Sequence, residues 1–242
     1  MIHTKDNKID EIIAKDFLAA LVFEKYDIDY CTQGNRILSE VCDSKSDEIL
    51  SEINNLKNHD FYRLNEWEPD LLCDYIKNIH HEYLKKSFSK CISKLKSIVM
   101  ENRKSEDIQS VMKQIQLEFE IHIRKVEKLL FPYIKKLSES NRKKENYEVP
   151  PFGSVLELIK VIKKEHSDEA MQLKKLIDDF RNEPVKSNQS DKKEELYMEM
   201  KELLLDFHYH IHLENNMLFP KTIALEKKLK RHFKINNQKS KK

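Results

Sequence analysis

The chain has 242 residues, of which 39% are hydrophobic and 36% are charged, and its formal net charge is +2. Only two glycines and six prolines are present, and this scarcity of turn-forming residues predicts long helices and argues against a sheet-based fold. The nearly balanced charge excludes an obligatory polyanion partner such as nucleic acid. Apolar stretches are short and interrupted by charge, which excludes a membrane span and a signal peptide. We therefore expect an all-α, cytoplasmic protein.

The N-terminal part is predicted to be a small helical domain over residues 1–60. Apolar residues recur at helical spacing over residues 9–26 and again over residues 45–58. Between these stretches lies Cys31, in a turn just before a helix predicted to begin near Asn35. Unpaired backbone N–H groups at a helix N-terminus stabilise a thiolate, so Cys31 is a candidate for a thiol role. The alternative is a packed loop cysteine.

A larger helical domain is predicted for residues 68–228, followed by a basic tail over residues 229–242. The expected helices run over about 69–103, 106–137, 155–180 and 191–225. Polar segments that contain proline or glycine separate the second helix from the third and the third from the fourth. Four long helices joined by polar loops indicate a four-helix bundle.

A sequence motif occurs twice in this bundle, as 122-HIRKVEKLLFP-132 and 210-HIHLENNMLFP-220. Each copy follows another histidine, His80 before His122 and His166 before His210, at nearly equal separations. The pattern predicts a duplicated helical hairpin with one inward histidine on each helix. Four imidazoles at one level of a bundle indicate a metal site, because neutral imidazole is a good ligand for iron, zinc, copper or nickel.

Glu214 follows His210 by four residues and therefore lies on the same helical face. Nitrogen with carboxylate oxygen is the ligand mixture of non-heme iron, and a bridging carboxylate allows two cations to lie close together. His208 and His212 are predicted on the opposite side of their helix, as surface residues or as residues just outside the site. His81 is rotated about 100° from His80, and a small shift of the helical register would exchange the two.

These residues carry a family resemblance. The bundle resembles the hemerythrin-like cation-binding domains, and the segment 23-FEKYDIDYCTQGNRIL-38 resembles the N-terminal cysteine domain of the bacterial iron-sulfur cluster repair di-iron proteins. The resemblance implies a hemerythrin-like bundle after a small helical domain, a non-heme di-iron cofactor, and repair of iron-sulfur clusters under nitrosative or oxidative stress by iron donation. The iron ligands that it implies are His80, His122, His166, His210 and Glu214.

The chain departs from the family pattern at three places. Thr32 stands where the family has a second cysteine, and Val126 stands four residues after His122, where a glutamate is expected. No histidine occurs between His81 and His122, although the family has one late in the first bundle helix. Glu127 and Glu101 are the candidate replacement ligands. We therefore expect one weakly held iron, which suits a donor.

Two other functions stay open. One is a sensor or carrier that binds oxygen or nitric oxide reversibly at the iron pair, and the other is a metal-free helical interaction module. No nucleophile elbow, phosphate loop or HExxH motif is present, so no hydrolase or transferase is indicated. Iron-sulfur proteins are the expected partners, and a homodimer is left open.

Overall fold

The computed structural model describes residues 3–26, 28, 30, 34–55, 64, 66–98, 104–145, 148–150 and 152–239. The chain divides into two compact units, Met1–Trp67 and Glu68–Lys242. Within the described residues the regular elements are helical, apart from an isolated antiparallel bridge between Lys8 and Ile37. The all-α prediction is confirmed.

Four short α-helices lie within the described residues of the first unit. They are α1 (Ile9–Lys15), α2 (Ala19–Lys25), α3 (Leu38–Cys42) and α4 (Ser46–Asn55). Their apolar faces enclose a core around the fully buried Phe23 and Leu38. The helix predicted over residues 9–26 is interrupted because Asp16 is extended and its Oδ1 accepts a hydrogen bond from the Leu18 N–H at 3.1 Å. Cys31 lies outside the described residues.

The second unit is a bundle of four long helices. The first long helix comprises α5 (Pro69–Tyr75), a π-helical segment (Ile76–His81) and α6 (Glu82–Leu95). The second comprises α7 (Lys104–Lys125), a π-helical segment (Val126–Leu130) and α8 (Phe131–Lys143), and the third is α9 (Val155–Asn182). The fourth comprises α10 (Ser190–His212), a π-helical segment (Leu213–Leu218) and α11 (Phe219–Lys239). Each helix packs against two others, so the four surround one core.

Helix ends follow local backbone chemistry. Pro69 occupies the first turn of α5, where its missing N–H costs nothing, and Lys144 ends α8 in the left-handed conformation with φ 58°. The fourth helix continues beyond its predicted end near Leu225, so the basic tail is helical as far as Lys239. Among the described residues, no helix combines the length and the apolar character that crossing a bilayer requires.

The π-helical segments set the helical register at the centre of the bundle. Two of them end immediately before the Phe-Pro pairs of the repeated motif. Pro132 and Pro220 cannot donate the backbone hydrogen bond of an ordinary α-turn, and the wider π turn falls on the residues that would have accepted it. Each π turn inserts about one extra residue and rotates the following side chains relative to those before it.

Candidate metal centre

One histidine from each bundle helix points into the interior at the level of the π-helical segments. These are His81, His122, His166 and His210, and Glu214 lies among them. All five side chains, together called the ring of five, are at most 1% exposed. Burial of so many polar groups in an apolar core is costly unless they bind one another or a cation.

The four imidazoles form two pairs. The Nε2 atoms of His81 and His210 lie 3.2 Å apart, and the Nε2 atoms of His122 and His166 lie 3.3 Å apart. Each pair joins one hairpin of the repeat to the other. Two nitrogens directed at each other in this way present two lone pairs to the same point, which is the arrangement that a cation needs.

Glu214 lies between the two pairs. Its Oε1 is 3.5 Å from His210 Nε2 and 3.7 Å from His81 Nε2. Its Oε2 is 3.2 Å from His166 Nε2 and 3.8 Å from His122 Nε2. Neither oxygen has a hydrogen-bond partner among the described residues. One carboxylate therefore offers one oxygen to each histidine pair, as a bridging ligand between two cations would.

The structure differs from the sequence prediction in the first bundle helix, where His81 and not His80 faces the other imidazoles. His80 follows Ile76 by four residues and keeps the register of the upstream apolar stripe, whereas His81 precedes Phe88 by seven residues and keeps the downstream register. The π-helical segment between them produces this shift. His80 Nδ1 instead binds Asp206 Oδ1 at 3.0 Å.

Polar residues outside the ring of five bind the outward nitrogens of two histidines. His81 Nδ1 donates to Glu127 Oε1 at 2.9 Å, and His166 Nδ1 donates to Asn215 Oδ1 at 3.0 Å, with each imidazole in the tautomer that carries the proton on Nδ1. Such contacts fix the orientation of each imidazole and leave its Nε2 free to bind a metal. Glu127 therefore does not reach the ring as a ligand; it positions His81.

The phenylalanines of the repeated motif cover the same two histidines. Phe131 stacks on His81 with an interplanar angle of 3°, and Phe219 stacks on His166 with an angle of 2°. Both phenylalanines are buried. The stacked rings hold the imidazoles in place and exclude water from the ring of five.

Burial and neighbouring charges set the protonation states of these side chains. Burial holds the pKa of His210 well below its usual value and lowers the pKa of His122 to about 4. Burial also works to lower the pKa of His81, but the hydrogen bond to Glu127 and the nearby charge of Glu214 outweigh burial and raise that pKa. Burial works against ionisation of Glu214, yet the nearby imidazoles, His210 first, hold its pKa well below the usual range.

The residues present fit a metal. His122, His166, His210 and Glu214 each offer a ligand atom, and these atoms all lie within 4.8 Å of one another. His81 extends the set to one histidine from each helix. Nitrogen and carboxylate oxygen donors in a dry cavity suit iron and other divalent transition metals. A second bridging carboxylate is missing from the second helix, where the buried Val126 occupies the position that corresponds to Glu214.

Three further residues considered from the sequence are Glu101, His208 and His212. Glu101 lies outside the described residues. His208 and His212 are buried, although we expected surface or outer positions, and His212 Nδ1 is 3.1 Å from Asn216 Nδ2. Sequence reasoning preferred His80 and named His81 only as the residue that a shift of register would exchange with it; it missed Asn215. Alignment of the two motif copies pairs Asn215 with Glu127, and this correspondence was the available signal.

Known proteins resemble the chain over nearly its whole length. Residues 78–222 match the model of the hemerythrin HHE cation binding domain, and residues 5–57 match ScdA_N, described as a domain of unknown function. The iron-sulfur cluster repair protein ScdA of Staphylococcus haemolyticus is 26% identical over 233 residues, which cover 90% of this chain and 98% of that protein. The iron-sulfur cluster repair proteins YtfE of Escherichia coli O1:K1 and Escherichia fergusonii are each 27% identical over 236 residues, which cover 92% of this chain and 99% of theirs.

Proposed function

The chain belongs to the hemerythrin HHE cation-binding family, and we propose that it is a di-iron protein that repairs iron-sulfur clusters by donating iron. Three relatives that align with nearly the whole chain carry the name iron-sulfur cluster repair protein. Two family models match the chain, one in each compact unit of the structure, with ScdA_N first and the hemerythrin domain second. The order of domains therefore supports the same function as the metal centre.

The observation that carries the proposal is the division of Glu214 between two histidine pairs. His81, His210 and Oε1 of Glu214 would hold one iron, and His122, His166 and Oε2 of Glu214 would hold the other. Each iron would thus receive two imidazoles and one carboxylate oxygen. Bound iron supplies the ferrous ions that a damaged cluster lacks, and the residues of this chain hold those ions and release them.

The low number of anionic ligands favours release. Glu214 carries the one carboxylate inside the ring of five, and Val126 leaves the corresponding position of the second helix apolar. Two ferrous ions bring four positive charges, which one carboxylate compensates only in part. Both ions are therefore held less tightly than two bridging carboxylates would hold them.

The recipients in this proposal are iron-sulfur proteins of the cytoplasm. Cys31 takes part in docking or thiol exchange with the recipient, an assignment that depends on the sequence alone. Replacement of Cys31 by serine should leave the iron content unchanged and slow the transfer of iron.

The proposal is tested with protein purified and loaded with ferrous iron without oxygen. Iron content is measured by elemental analysis, and repair is measured as recovered activity of a [4Fe–4S] hydratase whose cluster has been damaged by nitric oxide. The intact chain should bind about two irons and restore the hydratase.

Two neighbouring histidines supply a matched pair of variants. His81→Ala removes a proposed ligand and should lower the iron content and the repair rate, whereas His80→Ala removes the partner of Asp206 and should retain both. Two irons that persist while oxygen or nitric oxide binds reversibly, without repair, would favour the carrier function. Failure to bind iron would refute both and leave the metal-free module.

A further inference from the structure

The outer contacts of the metal centre repeat between the two hairpins, but their charges do not. Glu127 and Asn215 occupy corresponding positions in the two copies of the motif. Glu127 accepts the Nδ1 hydrogen bond of His81 at 2.9 Å, and Asn215 accepts that of His166 at 3.0 Å. The geometry of the two contacts is nearly the same, so their chemical difference is the difference between a carboxylate and an amide.

The carboxylate of Glu127 and the amide of Asn215 act on opposite sides of Glu214. His81 belongs to the pair that faces Oε1, and His166 belongs to the pair that faces Oε2. A carboxylate that accepts a hydrogen bond from imidazole makes the other ring nitrogen a stronger donor to a metal, whereas a neutral amide does so much less. The two cation positions are therefore inequivalent, although the histidines around them are matched.

The other outward nitrogens do not restore the balance. His122 Nδ1 lies 3.7 Å from Glu165 Oε2, beyond hydrogen-bond distance, and the second oxygen of Glu165 is bound by the Lys125 ammonium group. His210 Nδ1 has no hydrogen-bond partner among the described residues.

Two lysines also approach Glu127, but at longer range. Lys85 and Lys77 lie 3.7 Å and 3.9 Å from its oxygens, and both are at least 34% exposed. Solvent screens such exposed charges, so their effect on the carboxylate is small. Glu127 is therefore the outer carboxylate that is hydrogen-bonded to a histidine of the ring.

We propose that Glu127 is a positioning residue that makes the His81–His210 side the tight cation position, so that the His122–His166 side, bound outward by Asn215, loses its iron first. The inference rests on the proposed two-cation centre and adds an order of release to it. One ion stays in the bundle while the other is transferred. The ion that stays leaves a cation bound among the buried polar side chains of the ring of five while the other ion is transferred.

The experiment uses the full chain loaded with two equivalents of ferrous iron without oxygen, and it follows release to the chelator ferrozine by absorbance. The unmodified protein should release iron in a fast and a slow phase of equal amplitude. Glu127→Gln keeps the size of the side chain and removes its charge. It should accelerate the slow phase about tenfold or more, as expected for loss of an outer carboxylate, and leave the fast phase unchanged.

Asn215→Asp is the reciprocal variant, and it should slow the fast phase while leaving the slow phase unchanged. A merely structural role for Glu127 would instead change both phases together, and this result would overturn the inference. Unchanged release in Glu127→Gln would do the same while leaving the two-cation centre intact. Binding of fewer than two irons by the unmodified chain would refute the centre itself, and the order of release with it.

Discussion

Restoring the missing carboxylate by Val126→Glu should weaken the metal-free protein and strengthen its binding of cations. Val126 is fully buried and lies four residues after His122, as Glu214 lies four residues after His210. A glutamate there adds volume to a packed site, which costs about 1–3 kcal/mol. It also buries a carboxylate without a cation, which adds about 1–3 kcal/mol more. The metal-free variant should therefore lose about 2–6 kcal/mol of unfolding free energy.

With iron bound, the same carboxylate becomes a second bridging ligand. Tenfold tighter binding of the cations corresponds to about 1.4 kcal/mol. A stabilisation of that size raises the melting temperature of a domain of this length by about 3–6 °C. The iron-induced rise in melting temperature should therefore be larger in Val126→Glu than in the unmodified protein by at least about that amount.

Thermal unfolding is followed by circular dichroism without oxygen, once with a chelator and once with excess ferrous iron. Val126→Gln is the matched control, because glutamine has nearly the size of glutamate and no charge. It should lose stability without iron and gain no more from iron than the unmodified protein does. Equal iron-induced shifts in the Glu and Gln variants would show that residue 126 does not face the cations.

Two further predictions concern groups next to the ring of five. Burial, followed by repulsion from nearby carboxylates, raises the pKa of Glu169 from 4.5 to about 8. The stability that comes from keeping Glu169 protonated is complete below pH 4.5 and declines as the pH rises towards 8. Relative to Glu169→Gln, the unmodified protein should therefore lose about 3 kcal/mol of unfolding free energy between pH 5 and pH 8 in urea titrations. A difference between the two proteins that does not change with pH would contradict this. Phe131→Ala should cost about 3–5 kcal/mol in urea titrations and also lower the iron affinity measured by chelator competition, because Phe131 stacks on His81. Phe180→Ala should cost about the same stability without changing the affinity, because Phe180 is fully buried in the core at the last turn of α9, far along that helix from His166.

The bundle was predictable because its signals are periodic and repeated. Composition and apolar spacing predict the four long helices, and the duplicated motif identifies His122, His166, His210 and Glu214 as residues of one level. Three of them lie within the copies, and His166 precedes the second copy by 44 residues, nearly the separation of 42 between His80 and the first copy. The register of the first helix did not follow, since an ideal 3.6-residue period cannot represent a π-helical turn.

Outer contacts were less predictable for a different reason. Glu127 lies about 140° from His122 on an ideal helix, and its partner is a histidine on another helix 46 positions earlier. Such a pairing depends on how two helices face each other, which the spacing along one helix does not contain. The internal repeat supplies part of this information, because it makes Asn215 and Glu127 equivalent before any coordinates are known.

The charge of the centre connects these local details to the direction of iron transfer. Oxidation from the ferrous to the ferric state adds one positive charge per iron, and a site with four imidazoles and one carboxylate compensates that charge poorly. The burial that keeps His122 and His210 neutral therefore also favours ferrous over ferric iron. Ferrous iron exchanges its ligands more readily and matches what a cluster under repair requires. In the proposed mechanism Val126 therefore acts in the same direction as the asymmetry between Glu127 and Asn215, because the first would keep the iron ferrous and the second would determine which ion leaves.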